Sequence, residues 1–141
     1  MKPQNRNIPL LLLRAREAMM VYFRPALSRR QLTEQQWRIL RALYEEKQLE
    51  PRELCQQCCI LSPSMAGILK RMEELNLVVK VPSDFDKRRV MVTLAAGVDD
   101  MVAEILKENR LAYDLLAKKV GEQEIKDLMA QLDNVLKHLE Q

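Results

Sequence analysis

The chain has 141 residues, enough to bury a core without disulfides or metal and too few for a multidomain enzyme. Its 48% hydrophobic and 30% charged residues, with only 3 Gly, exclude a disordered or fibrous protein. The net charge of +3 is unevenly spread, at +6 over residues 1–32, +1 over 33–94 and −4 over 95–141, so the placement of the basic groups has to decide what they bind.

Ile8 to about Arg30 predicts a helix, with Leu12, Met19, Phe23 and Leu27 recurring at three- and four-residue steps; Pro25 should kink it or end its first part. Thr33-Glu34-Gln35-Gln36 predicts a capping box that opens a second helix, with Trp37, Leu40 and Leu43 or Tyr44 as its buried stripe. Pro51 marks the first turn of a short helix to about Cys58. After the tight link Cys59 to Leu61, Ser62 is the expected N-cap of a further helix, with Pro63 at its first position. That helix carries Met65, Ile68, Leu69, Met72 and Leu75 on one face and ends at Asn76, a left-handed C-cap residue.

The period then changes. Val78, Val79 and Val81 on one side of a charged stretch, and Val90, Val92 and Leu94 on the other, predict a β-hairpin with a long tip, the only strand pair expected. From Gly97 a long helix runs to about Val120, carrying Met101, Ile105, Leu106 and Leu116. Gly121 breaks it, and Glu122 to Glu140 forms a last amphipathic helix with Ile125, Leu128, Leu132, Val135, Leu136 and Leu139 on its apolar face. The expected fold class is mostly α with a small β-hairpin wing (α+β). No run of about 18 apolar residues occurs, and Ile8 to Leu13 is followed by Arg14, Arg16 and Glu17, so the expectation is a cytoplasmic protein with no membrane partner and no signal peptide.

Helix, short helix, helix and charged hairpin, in that order, is the plan of a winged helix-turn-helix. A helix that reads DNA needs one apolar face to hold it on its domain and an opposite face of small, polar or cationic residues that fits the major groove. Ser64, Gly67, Lys70 and Arg71 occupy that opposite face. The hairpin tip adds Lys87, Arg88 and Arg89, with Asp86 close enough to aim an arginine toward a narrow minor groove through a bidentate pair. Apolar residues at both chain ends, Leu10 to Leu13 and Leu128 to Leu139, exceed what one winged lobe could cover and predict a homodimer.

Three runs carry a family resemblance: Leu32-Thr33-Glu34-Gln35-Gln36-Trp37-Arg38-Ile39-Leu40, Cys59-Ile60-Leu61-Ser62-Pro63-Ser64-Met65-Ala66-Gly67-Ile68-Leu69, and Asp86-Lys87-Arg88-Arg89. The chain resembles the MarR family of bacterial transcriptional regulators along nearly its whole length. With Ala15-Arg16-Glu17-Ala18 and Phe23-Arg24-Pro25, it is most similar to the subgroup that regulates homoprotocatechuate (4-hydroxyphenylacetate) degradation operons. The resemblance implies one domain over residues 1–141, with 1–31 and 97–141 as dimerisation helices and 32–96 as the DNA-binding lobe. It also implies a homodimeric repressor on a pseudo-palindromic operator in double-stranded DNA, released by a small phenolic or aromatic carboxylate. Recognition-helix contacts then fall on Ser62, Ser64, Met65, Gly67, Lys70 and Arg71, and the Asp-x-Arg wing motif on Asp86 and Arg88. Where the family has a Leu-Thr pair before the long helix, Leu94-Ala95 lacks the capping hydroxyl.

An aromatic acid needs a cationic anchor and an apolar slot, and Arg16, Trp37 and Arg41 are the candidates for a pocket between dimer stem and lobe. Cys55, Cys58 and Cys59 invite a thiol-based redox-sensing alternative, which would require a lowered thiol pKa. With one histidine, His138, far from the cysteines in sequence, no metal set and no cofactor are expected. The chain has no phosphate-binding or dinucleotide loop and no nucleophile elbow, so it does not read as an enzyme. A helical adaptor that binds only protein is the other alternative.

Overall fold

The computed structural model describes residues 7–141, so the first six residues of the expected N-terminal dimerisation segment lie outside the described residues. The elements run α1 (Ile8–Ser28), α2 (Glu34–Glu46), β1 (Gln48–Leu49), α3 (Pro51–Cys58), α4 (Ser62–Glu74), β2 (Val78–Pro82), β3 (Val90–Leu94), α5 (Val98–Val120) and α6 (Glu122–Leu139). Two compact units share this chain: Ala26–Lys107, and the residues up to Pro25 together with Glu108–Gln141. Both divisions between the units fall inside helices, α1 and α5. Pro25 lies inside α1, which continues through it to Ser28.

The lobe, Ala26–Lys107, is organised around α2. Thr33 caps it as the sequence predicts: its hydroxyl accepts the Gln36 N–H at 3.0 Å, and the Gln36 side chain accepts the Thr33 N–H at 3.0 Å. Ile39, Leu40 and Leu43 then pack with Leu54 of α3, Leu69 and Met72 of α4, Val78 and Val92 of the strands, and Val102 and Ile105 of α5. Burying a Leu or Ile side chain contributes about 1.5–3 kcal/mol, so this cluster, rather than helix propensity, is what holds the short α3 in place.

Three helices end alike. After α1, α3 and α4 a non-glycine residue takes the left-handed region, Gln31 (φ 57°), Cys59 (φ 52°) and Asn76 (φ 58°). The next amide reaches back across the last turn, from Leu32 to Leu27 O, Ile60 to Cys55 O and Leu77 to Met72 O, at 3.0, 3.2 and 2.9 Å. Each ending drops an apolar side chain, Leu32, Ile60 or Leu77, onto the core. The sequence signals Asn76 as such a residue but carries no comparable signal at Gln31.

Three expectations need correction. Ser62 does not cap α4: Leu61, in extended conformation, is the N-cap residue, and its carbonyl accepts the Ser64 N–H at 3.0 Å. The Ser62 backbone is already within the helix, where its hydroxyl cannot take the cap geometry. Leu75 leaves the apolar face of α4 and is exposed, because the chain turns away at Asn76. The hairpin is part of a three-stranded antiparallel sheet in the order β1-β3-β2, with Gln48 opposite Thr93 and Leu49 opposite Val92. A two-residue strand has no alternation to read, and only its buried Leu49 betrays it in the structure.

The start of α5 lacks a side-chain cap but is not loose. Ala95 donates to Leu77 O at 3.0 Å, Val98 to Ala95 O at 3.2 Å, and Gly97 supplies the positive φ of 83° that the turn requires. Asp99 and Asp100 then face the helix N-terminus.

The other unit is helical. Phe23 meets Tyr113 edge to face at 4.9 Å between ring centroids, and Ala112 and Leu116 are buried. Gly121, at φ 116°, separates α5 from α6, which has no buried residue: Leu128, Met129, Val135, Leu136 and Leu139 are all exposed, as are Leu10 to Leu13 of α1. Among the described residues no helix is long and apolar enough to cross a membrane.

Cys58 belongs to the core; its Sγ lies 3.4 Å from the Arg38 carbonyl oxygen, and burial pushes its thiol pKa up. That is opposite to the shift a sensing thiol needs. Iodoacetamide on the native protein should therefore label exposed Cys59 well before Cys58, read by peptide mass spectrometry; equal rates would show that the α3 end opens freely. Thr33→Ala should lower stability by about 1 kcal/mol, measured from the urea midpoint at unchanged m-value.

Candidate nucleic-acid interface

α3 and α4 stand across the Cys59–Leu61 link, and the burial of α4 divides its residues cleanly. Met65, Leu69 and Met72 enter the core, whereas Ser62, Ser64, Gly67, Lys70 and Arg71 are exposed. Nothing lies within 4 Å of where a Gly67 Cβ would be, so this surface is open enough for a close-approaching backbone. Arg71 is engaged with Glu74 at 3.3 Å along the helix. Met65 must be withdrawn from the interface residues: at 2% exposure its side chain fills the core and presents nothing to a partner. Its position one residue after Ser64 in the first turn turns it inward, since a helix advances about 100° per residue.

The wing tip is held by a set of short-range bonds. Ser83 donates its N–H to Arg89 O at 2.9 Å, Phe85 donates to Ser83 Oγ at 3.2 Å, and Arg89 donates to Asp86 O at 2.9 Å. Asp86 then orients Arg88 three times over: it accepts the Arg88 backbone N–H at 3.0 Å and Nε at 3.2 Å on Oδ1, and a terminal guanidinium nitrogen at 3.4 Å on Oδ2. The Arg88 side chain remains 92% exposed, a cation presented to solvent on a fixed carboxylate fork. Lys87 and Phe85, the latter 96% exposed, complete the tip. Sequence reasoning passed over Phe85, an isolated aromatic between two aspartates.

Arg89 behaves differently from its neighbour. Its Nε donates to Glu50, the residue between β1 and α3, whose side chain is only 13% exposed. This contact, 39 residues apart in sequence, has no local signal that could have revealed it. The Arg89 hydrogen bond holds the Glu50 carboxyl below its ordinary value, and the Arg88 bonds do the same for Asp86. A lowered carboxyl pKa means the contact is intact above the usual carboxylate range and is lost only as pH falls through the lowered value. Both contacts therefore persist throughout the neutral range.

A second feature lies on the lobe. Trp37, Arg38, Arg41, Ala42, Glu45 and Gln57 line an open cleft of about 350 Å³. It brings Trp37 and Arg41 together, with Arg41 bonded to Glu45 at 3.2 Å. The Arg38 Nε in the same cleft is buried without a hydrogen-bond partner. Arg16 belongs to the helical unit, where it meets Glu17 at 3.3 Å; Glu17 also accepts Arg24 at 2.7 Å. Among the described residues no group of three or more His, Cys, Asp or Glu side chains is placed to hold a metal ion.

Comparison with known proteins follows the same lines. Residues 30–89, which include α2 to the wing tip, match the model of the MarR family. The chain is 39% identical over 132 residues to the HTH-type transcriptional regulator FarR of Neisseria gonorrhoeae, a match covering 92% of this chain and 90% of that protein. It is 46% identical over 88 residues to the homoprotocatechuate degradative operon repressor of Escherichia coli, covering 62% of this chain and 60% of that one. The structure of NadR in complex with 4-hydroxyphenylacetate superposes with a TM-score of 0.76 at 39% identity, covering 94% of this chain and 96% of that one. An exposed polar face on α4, a wing that presents an oriented arginine, and relatives that match nearly end to end lead to one conclusion: the chain belongs to the MarR family and is a DNA-binding transcriptional regulator of the winged-helix kind.

Proposed function

We propose that the protein is a homodimeric repressor of an aromatic-catabolic operon, released from its operator by a small phenolic or aromatic carboxylate. The observation that carries the DNA-binding part is the Asp86–Arg88 fork of the wing, together with the open outer face of α4. Ser62, Ser64, Gly67 and Lys70 meet base edges and phosphates in the major groove, and Lys87 and Arg88 take the flanking minor groove and backbone. Arg71, already paired with Glu74, contributes charge at the edge. Phosphate contacts supply most of the affinity and make it depend steeply on salt.

Residues 32–96 serve as the reading lobe, and the helices on either side, from the described start of α1 to residue 31 and from 97 to 141, serve for dimerisation. The exposed Leu10 to Leu13 of α1 and the exposed apolar residues of α6, which has no buried residue, support this, because apolar surface of that extent is costly in water until a second copy covers it. A twofold dimer reads two half-sites about 34 Å apart, hence the pseudo-palindromic operator.

The effector reading rests on the cleft with Trp37 and Arg41, an aromatic wall beside a cation, and on the relatives, one of which was crystallised with 4-hydroxyphenylacetate. An aromatic acid that prefers a dimer whose lobes are wrongly spaced for the operator lowers DNA affinity by the ratio of its affinities for the two states. Arg16 remains a candidate effector residue, to be tested by its own substitution.

Fluorescence polarisation against a duplex from upstream of the protein's own coding region, at two salt concentrations and with or without 4-hydroxyphenylacetate, tests both halves. The expected result is tight, salt-sensitive binding that the acid weakens; binding indifferent to the acid overturns that effector, and no preference over random DNA overturns the operator reading. Arg88→Ala should weaken operator binding by roughly 1–3 kcal/mol, and a change near zero would place the wing outside the interface. Arg41→Ala and Arg16→Ala should keep operator binding and lose the response to the acid; an unchanged response removes the residue concerned from the effector site.

A further inference from the structure

Some acidic residues close to the reading surface pair with their own element: Asp86 aims Arg88, and Glu74 pairs with Arg71. Glu50 instead pairs across elements, and its partner is a wing residue the sequence would assign to DNA. We propose that Glu50 is a positioning residue for operator binding: by holding Arg89 it sets the wing against the helix-turn-helix, so that an acidic side chain on a DNA-binding lobe strengthens DNA binding. This rests on the operator-binding reading above.

Both ends of the ion pair are rooted in fixed backbone. On one side Leu49 is paired with Val92 in the sheet and buried, Glu50 donates its N–H to the Glu53 carboxylate at 3.0 Å, and Pro51 begins α3. On the other, the Arg89 amide and carbonyl are bonded to Asp86 and Ser83 at 2.9 Å each, and Val90 starts β3 opposite Pro82. The tip is therefore a small rigid loop, and the ladder to β1 stops at Leu49 opposite Val92, short of the tip. Among the contacts described, Glu50 to Arg89 is the side-chain link from that loop to the start of α3.

The arrangement divides the labour of two adjacent arginines. Arg88 stays almost fully in solvent on its Asp86 fork, free to enter a groove. Arg89 turns back onto a carboxylate that is itself largely covered, while its own side chain stays half exposed. Removing a negative charge from a surface that faces phosphates would ordinarily raise affinity through long-range electrostatics. A positioning role has the opposite sign, because a wing that wanders delivers Arg88 to the groove only part of the time, and the apparent affinity falls by the fraction of time it is correctly placed.

The test uses the full-length protein with Glu50→Gln, Arg89→Gln and the double substitution, titrated against the same upstream duplex at two salt concentrations. Each single change should weaken binding by roughly three- to tenfold, and the double change by no more than either single, because both break one contact. Tighter binding by Glu50→Gln, or an additive double change with a salt slope shallower by about one phosphate contact for Arg89→Gln, would overturn the proposal and return Arg89 to the DNA contacts. A second readout needs no DNA: amide hydrogen exchange over residues 83–90 of the free protein should accelerate in Glu50→Gln, and unchanged protection there also overturns it. If the unsubstituted protein shows no preference for the duplex over random DNA, the operator reading fails by itself, and the exchange measurement still decides whether Glu50 holds the wing.

Discussion

Strand β3 is the member on which the lobe depends, because it is hydrogen-bonded on both sides. It pairs with β2 to make the wing and with β1 to bring the start of α3 alongside, and its Val92 is fully buried among the helices. A two-stranded hairpin alone is marginal in water. Here a third strand of two residues and a buried valine anchor the base of the wing to the same core that folds the lobe.

The same economy appears in α4. Its inward residues are large and flexible, Met65, Leu69 and Met72, and fill the space between α2, α3 and the strands. Its outward residues are small or long and polar. The core needs volume where DNA needs clearance, and a helix satisfies both because its two faces are about half a turn apart. Met65 shows how sharp that division is: one position from exposed Ser64, it is completely a core residue.

Charge is arranged with equal care. Cations near the reading surface are of two kinds, those exposed to water, such as Lys70 and Lys87, and arginines whose direction is fixed by a carboxylate, such as Arg88 and Arg89. Lysines suit phosphates, which need charge more than direction, whereas a guanidinium entering a groove must arrive with its planar fork already oriented. A carboxylate can act as the mount for such an arginine, as Asp86 does for Arg88.

Much of this was legible in the amino-acid order, and what was legible shares a physical origin. Helix and strand periods, the Thr33–Gln36 box, Pro51, Asn76 and the Asp86–Arg88 pair all depend on residues within a few positions of one another, so spacing alone determines them. The family, its winged lobe and the residues facing away from the α4 core followed from such local patterns taken in order. The strand β1, the bond between Glu50 and Arg89, and the cleft that gathers Arg38 with Trp37 and Arg41 were decided only by the tertiary structure. Each joins segments distant in the chain or depends on how closely neighbouring elements pack, and such contacts leave no mark on sequence until the core has brought their partners together.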